Sequence, residues 1–170
     1  KMKVNVATST EVCFVVRTYS GHVPDANSYH KDTLDYFIQS LQAQTNPNWA
    51  AVILDTDMGK PFPYLKEFGQ QLREQNETRV TIIEQTFSNN ETSWDSIHLG
   101  VFILTDLMLP HCPPDTKYIV ATNGDNYYLP ETVDLVSEVG KKYSSPGIIG
   151  VGTWSRYQFS PDRNLKYEPL

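Results

Sequence analysis

The 170-residue chain reads as an α/β protein: a mostly parallel central sheet flanked by helices on both faces. Three observations predict this. Short apolar runs without strict alternation suit strands buried on both faces. Between them lie segments with apolar residues at i, i+3, i+4 and i+7, the spacing of one helical face. Runs and segments alternate along the chain, the order of βαβ units joined by right-handed crossovers.

Each element follows in turn. Val12-Cys13-Phe14-Val15-Val16 is the first strand and ends at the polar Arg17-Thr18-Tyr19-Ser20-Gly21-His22. Ser28 or Asp32 is the candidate cap of the next helix. Leu34, Phe37, Ile38 and Leu41 form its apolar face, and Asn46-Pro47-Asn48 ends it. Trp49-Ala50-Ala51-Val52-Ile53-Leu54 is the second strand, ending at Asp55-Thr56-Asp57. Leu65, Phe68 and Leu72 mark a second helix, with Lys66, Glu67, Gln70 and Arg73 outward. Val80-Thr81-Ile82-Ile83 is the third strand. Ile97, Val101, Leu104 and Met108 mark a third helix, stopped by Pro110 and Pro113-Pro114. Tyr118 to Ala121 is the fourth strand. Val133, Leu135, Val136 and Val139 support a last helix that ends at Gly140. Gly147 to Val151 is a fifth strand, and Thr153 to Leu170 shows no clear period. No repeat or linker interrupts the pattern. It fits one domain over 1–170, alone or as a piece of a longer protein.

A net charge of −6 argues against a nucleic-acid partner. An acidic protein still binds a phosphorylated ligand where a metal or backbone amides neutralise it locally. No run of 18 apolar residues is present, so no membrane span is expected. The opening residues carry no apolar core of signal-peptide length. A soluble protein is therefore expected. The two cysteines, Cys13 and Cys112, show neither metal spacing nor a disulfide framework. Cys13 reads as a buried inert thiol, and the cytosol as the favoured compartment. Asn76-Glu77-Thr78 and Asn90-Glu91-Thr92 match glycosylation sequons. They read as chance triplets while no secretory route is visible.

Ligands of parallel sheets bind outside the carboxyl ends of the strands. Three strand ends carry notable polar groups: Thr18-Tyr19, Asp55 with Asp57, and Asn123 with Asp125. Asp125 is a hard oxygen ligand, and the amides of Asn123 and Asn126 offer neutral oxygens. Mg²⁺ and Mn²⁺ prefer such donors. The competing reading of Asn123-Gly124 is a type I′ hairpin. The helical pattern from Pro130 favours a strand-to-helix loop instead. Asp55 and Asp57 suit a base N–H or a ribose hydroxyl, or simply a turn. Thr18 and Tyr19 suit a nucleobase, or packing. Asp95, at the start of the third helix, is a site candidate or a first-turn carboxylate favoured by the helix dipole. Gly59-Lys60 lacks the rest of a phosphate loop, and no Gly-x-Gly-x-x-Gly follows the first strand. Ser93 and Ser96 lack a nucleophile elbow.

With these segments in order, the chain resembles the nucleotide-sugar-binding half of GT-A (Rossmann-like) glycosyltransferases, closest to family 2. The resemblance rests on Arg17-Thr18-Tyr19-Ser20, Ser40-Leu41-Gln42-Ala43-Gln44-Thr45 and Ile53-Leu54-Asp55-Thr56-Asp57. It continues through Ile97-His98-Leu99-Gly100-Val101 and Tyr118 to Asn126, and spans about residues 11 to 151. It implies a nucleoside-diphosphate sugar donor, usually UDP-linked, and a saccharide or protein-linked glycan acceptor. It also implies Mn²⁺ or Mg²⁺ and inversion by direct displacement. By the same token Thr18, Tyr19, Asp55, Asp57, Asn123 and Gly124 would line the nucleotide. Asp125, helped by Asn123, would hold the metal. Three departures stand out. Asn123 replaces the first Asp of Asp-x-Asp, and Ile97-His98 replaces Arg-Asn. Third, only about 45 residues follow Asp125, the region where the family usually adds its acceptor site and a general base. Asp162 and Glu168 are the late carboxylates, neither in a recognisable base motif, and Asp95 is another base candidate. A non-catalytic sugar-nucleotide-binding domain is the alternative reading.

Overall fold

A computed structural model describes residues 9–18, 26–55, 63–83, 104–142, 155–159 and 165–169. Four strands form one sheet: β1 (Val12–Thr18), β2 (Trp49–Asp55), β3 (Val80–Ile83) and β4 (Tyr118–Asn123), in spatial order β3-β2-β1-β4. Every neighbouring pair is parallel. The helices are α1 (Ala26–Gln42), α2 (Pro63–Glu74), α3 (104–108, continuing into a 3-10 turn at Leu109–His111) and α4 (Thr132–Lys142). A second sheet is an antiparallel hairpin of β5 (Ser155–Phe159) and β6 (Leu165–Pro169).

The expected α/β architecture is present, with helices on both faces. Successive residues of a strand face opposite sides, and β1 separates the two layers cleanly. Val12, Phe14 and Val16 join Trp49, Ala51 and Ile53 beneath Leu34, Phe37, Ile38 and Leu41 of α1. Leu65, Phe68 and Leu72 of α2 and Val133 of α4 complete that layer. Cys13, Val15, Val52 and Leu54 face the other way, beneath Leu104 and Met108 of α3. All five residues from Val12 to Val16 are fully buried. That is why their run shows no alternation.

Several sequence expectations need correction. Cys13 is not a free thiol: it forms a disulfide with Cys112, 99 residues away, beside the α3 layer. Bridge formation puts a covalent tie between the central strand and the turn after α3. It also removes the cysteine argument for a cytosolic protein. Gly140 does not end the last helix, which runs on to Lys142. A Cβ at Gly140 would overlap the Tyr118 ring, so this glycine serves close approach of α4 to β4. Ser28 and Asp32 lie inside α1 rather than at its cap, since the helix starts at Ala26. The C-terminal stretch read as aperiodic contains the β5–β6 hairpin, with Tyr157 registered on Tyr167 and Phe159 on Leu165. Ile97, Val101 and the expected strand from Gly147 to Val151 lie outside the described residues.

At the amino edge of the sheet Glu11 gathers a polar cluster. Its carboxylate accepts from Ser137 Oγ at 2.9 Å and from Lys117 Nζ at 3.2 Å, and Lys141 Nζ lies at 3.7 Å. The Ser137 hydrogen bond holds the Glu11 carboxyl below the ordinary glutamate range, and burial opposes it. The two lysines add to the lowering. α4 is thereby tied to the starts of β1 and β4.

Two outcomes follow. Closing a loop of 99 residues restricts the unfolded chain, and losing such a bridge costs about 2–5 kcal/mol. Cys13→Ala/Cys112→Ala should lower the denaturant midpoint accordingly, and reductant should then have no further effect. Because the folded pKa of Glu11 lies below the unfolded one, its contribution is full above the ordinary glutamate pKa. It is lost as pH falls through the folded value. In acid titrations of unfolding, Glu11→Gln should remove that part of the pH dependence.

Candidate functional site

The spatial order β3-β2-β1-β4 decides which strand ends meet at the carboxyl edge of the sheet. The chain moves outward from β1 to β2 and β3, then returns to the other side of β1 for β4. Thr18, Asp55 and Asn123 thus end their strands at the carboxyl edge, the edge outside which ligands of parallel sheets bind. Register brings the expected strand ends together there. Thr18 is paired with Asp55, and Arg17 with both Leu54 and Asn123. The convergence expected of Thr18, Asp55 and Asn123 is met at the backbone. Tyr19, Asp57 and Asp95 lie outside the described residues.

Beyond Asn123 the chain makes a turn, with Asn126 N–H directed to Asn123 O at 3.4 Å. No hairpin forms: β4 pairs in parallel with β1 and leads into α4. Gly124 donates its N–H to Arg17 O at 3.0 Å. A Cβ at Gly124 would stand 2.8 Å from Thr18 Cγ2. The glycine is therefore required by packing, and its amide is already spent on β1. Asn123 and Asp125 are exposed on this turn, and their side chains make no hydrogen bond among the described residues. They bring one carboxylate and one amide to the carboxyl edge of the sheet. Among the described residues no three His, Cys, Asp or Glu side chains converge as a metal cluster.

The turn is held from below. Thr122, buried in β4, accepts at Oγ1 from Asn126 Nδ2 at 2.8 Å and from the Tyr128 hydroxyl at 2.7 Å. Burial pushes the Tyr128 hydroxyl above the ordinary tyrosine range, and the Thr122 hydrogen bond offsets part of that. The Tyr128 ring packs edge-on against Phe14 and Phe37, at centroid distances of 5.0 and 6.0 Å. Such contacts add about 0.5–1.5 kcal/mol each beyond their buried area.

Ser40, Gln44 and Thr45 hold the rest of the connection. Ser40 Oγ accepts the Tyr128 N–H at 3.2 Å and donates to Phe37 O at 2.6 Å. Gln44 Nε2 donates to Leu129 O at 2.7 Å, while its Oε1 accepts the Val133 N–H at 3.0 Å. Thr45 donates its N–H to Pro130 O at 2.8 Å, and its hydroxyl reaches Asp134 Oδ2 at 2.7 Å. Sequence reasoning quoted this Ser-Leu-x-x-Gln-Thr segment only as a resemblance. Its structural work is to clamp the site turn and the start of α4 onto α1.

Arg17 is the other residue that sequence reasoning passed over. Its position in β1 faces the same side as Asn123, directly across the register. Its Nε is buried and has no hydrogen-bond partner among the described residues. Burial lowers the guanidinium below the ordinary arginine range, which still leaves it charged. A polar residue ending an otherwise apolar strand was the available signal. No protein-family model matches the chain, and no curated protein matches it significantly.

Gln44→Leu would orphan the buried Val133 N–H and take one of the donors from the Leu129 carbonyl, which keeps the Thr132 N–H and hydroxyl. A loss of roughly 1–3 kcal/mol is expected. Hydrogen exchange should accelerate at the Asn126 to Leu129 amides more than in β1, and equal acceleration everywhere would contradict a local clamp.

Proposed function

We propose that this chain is a glycosyltransferase domain that takes a nucleoside-diphosphate sugar, preferably UDP-linked, and glycosylates a hydroxyl of a saccharide or protein-linked glycan. One observation carries most of the reading. At the carboxyl edge of the sheet Arg17 is the register partner of Asn123, and the exposed Asp125 follows two residues after Asn123. An acidic chain that provides a local cation and hard oxygen donors at that edge suits a diphosphate. The resemblance in segment order supports the same substrate class.

The donors fit a hard divalent cation such as Mn²⁺ or Mg²⁺, with Asp125 and Asn123 as its protein ligands. A bound cation would neutralise charge on the departing diphosphate as a Lewis acid. Arg17 would share that task from the sheet side. Thr18, Tyr19, Asp55 and Asp57 would surround the base and ribose. Gly124 would act sterically, by letting the turn close on Thr18. Asp95 remains the candidate base for the acceptor hydroxyl.

No helix among the described residues is long and apolar enough to cross a membrane. The Cys13–Cys112 disulfide supports an oxidising compartment over the cytosol. Asn123, one negative charge short of an Asp-x-Asp pair, favours the alternative of a non-catalytic sugar-nucleotide-binding domain. UDP release from a panel of UDP-sugars separates the two.

Calorimetry with UDP and Mn²⁺ tests the site. Asp125→Ala should weaken metal-dependent binding by at least about tenfold, the loss of one charge-assisted contact. Unchanged binding would remove Asp125 from the site.

A further inference from the structure

The sequon Asn76-Glu77-Thr78 has no part in the proposed site, yet the fold presents it in an unusual way. Asn76 closes the end of α2 with a positive φ of 57°. Its N–H donates to Arg73 O at 3.0 Å, and the next N–H, of Glu77, donates to Leu72 O at 2.9 Å. This is the Schellman arrangement, in which Asn tolerates the left-handed backbone better than other side-chain-bearing residues. The N–H of Asn76 is thus used in the cap, while its exposed carboxamide makes no hydrogen bond among the described residues.

The middle residue turns away. Glu77 is gripped by Arg79, from Nε at 2.8 Å and Nη2 at 2.6 Å, and receives Gln42 Nε2 at 3.4 Å. Arg79 in turn lies over the Trp49 ring at 3.8 Å. Asn76 and Thr78 are left exposed on either side of this anchored glutamate. The turn precedes β3, so it sits at the amino edge of the parallel sheet. The candidate ligand site is at the carboxyl edge, and a bulky group at Asn76 would not obstruct it.

A sequon alone is weak, because such triplets arise by chance. The disulfide is the second, independent observation. A buried bridge across 99 residues indicates folding in an oxidising compartment, the setting in which sequons are glycosylated. We propose that Asn76 is an N-glycan acceptor and that the chain matures in a secretory compartment. In the transfer, Asn76 Nδ2 forms a bond to the anomeric carbon of a lipid-diphosphate-linked oligosaccharide. The anomeric C–O bond to phosphate breaks, the lipid diphosphate departs, and the amide loses one proton to the transferring enzyme. The inference does not depend on what the chain itself catalyses.

The test routes the whole chain through the secretory pathway of a cultured eukaryotic cell. Peptide-N-glycosidase digestion in heavy-oxygen water, followed by peptide mass spectrometry, reads occupancy at Asn76 and separately at Asn90. The expected result is an ¹⁸O-labelled aspartate at position 76 and no free thiol at Cys13 or Cys112. Asn76→Gln and Thr78→Ala should each remove one glycan step from the gel shift, and Thr78→Ser should retain it. Thr78→Ala leaves the left-handed Asn76 in place, so it separates lost glycan from lost fold. Unmodified Asn76 in the secreted, disulfide-bonded chain overturns the proposal, as does a secreted chain with both thiols free.

Discussion

The structure depends on the parallel pairing of β1 with both β2 and β4. β1, like β2, has both edges and both faces occupied among the described residues, and it is the strand that joins β4 to the rest of the sheet. Its register decides which residues meet across the sheet. Shifting β4 by one residue would move Val120 and Thr122 to the opposite layer. Thr122 would then no longer meet Tyr128, and Asn123 would no longer oppose Arg17. The core and the candidate site are therefore set by the same hydrogen-bond ladder. The Cys13–Cys112 bridge reinforces it at the one layer that α3 covers.

The site turn is supported from a distance rather than by itself. Residues 122–130 contain little apolar surface that could fix them alone. Their positions come from Phe14 and Phe37 around Tyr128, and from three polar side chains about 85 residues earlier. Each buried polar group in that clamp has a partner, which is what makes such a network rigid rather than costly. A ligand-binding turn needs this kind of order, since a loose one would lose entropy on binding.

Most of the fold was legible because it rests on local periodicity. Leu65, Phe68 and Leu72 identified α2, and the short β-branched run identified β3 to the residue. The three converging strand ends followed from the βαβ order. What was not legible depends on distant partners. Cys13 and Cys112 carry no local mark of pairing. A glycine near the end of a helix reads as a cap, whereas Gly140 answers to the Tyr118 ring on another strand. Ser40, Gln44 and Thr45 could not be assigned work without knowing that Leu129 to Asp134 pass beside them. The β5–β6 hairpin is different: Ser-Arg-Tyr-Gln-Phe and Leu-Lys-Tyr-Glu-Pro do alternate, the period-two signal of paired strands.

Under the proposed function, the asparagine at position 123 has a physical reason in Arg17, its register partner. An aspartate there, opposite a partly buried guanidinium whose Nε has no hydrogen-bond partner among the described residues, would pair with it and spend both charges. Asparagine offers a neutral oxygen and leaves the cation unspent. For a diphosphate ligand the balance matters. Two aspartates and a metal supply positive charge only through the metal, whereas one aspartate, an asparagine and Arg17 supply part of it from the protein. Under the proposed function, Asn123 beside Arg17 would move part of the work of neutralising a diphosphate from an exchangeable ion to a residue fixed in the central strand.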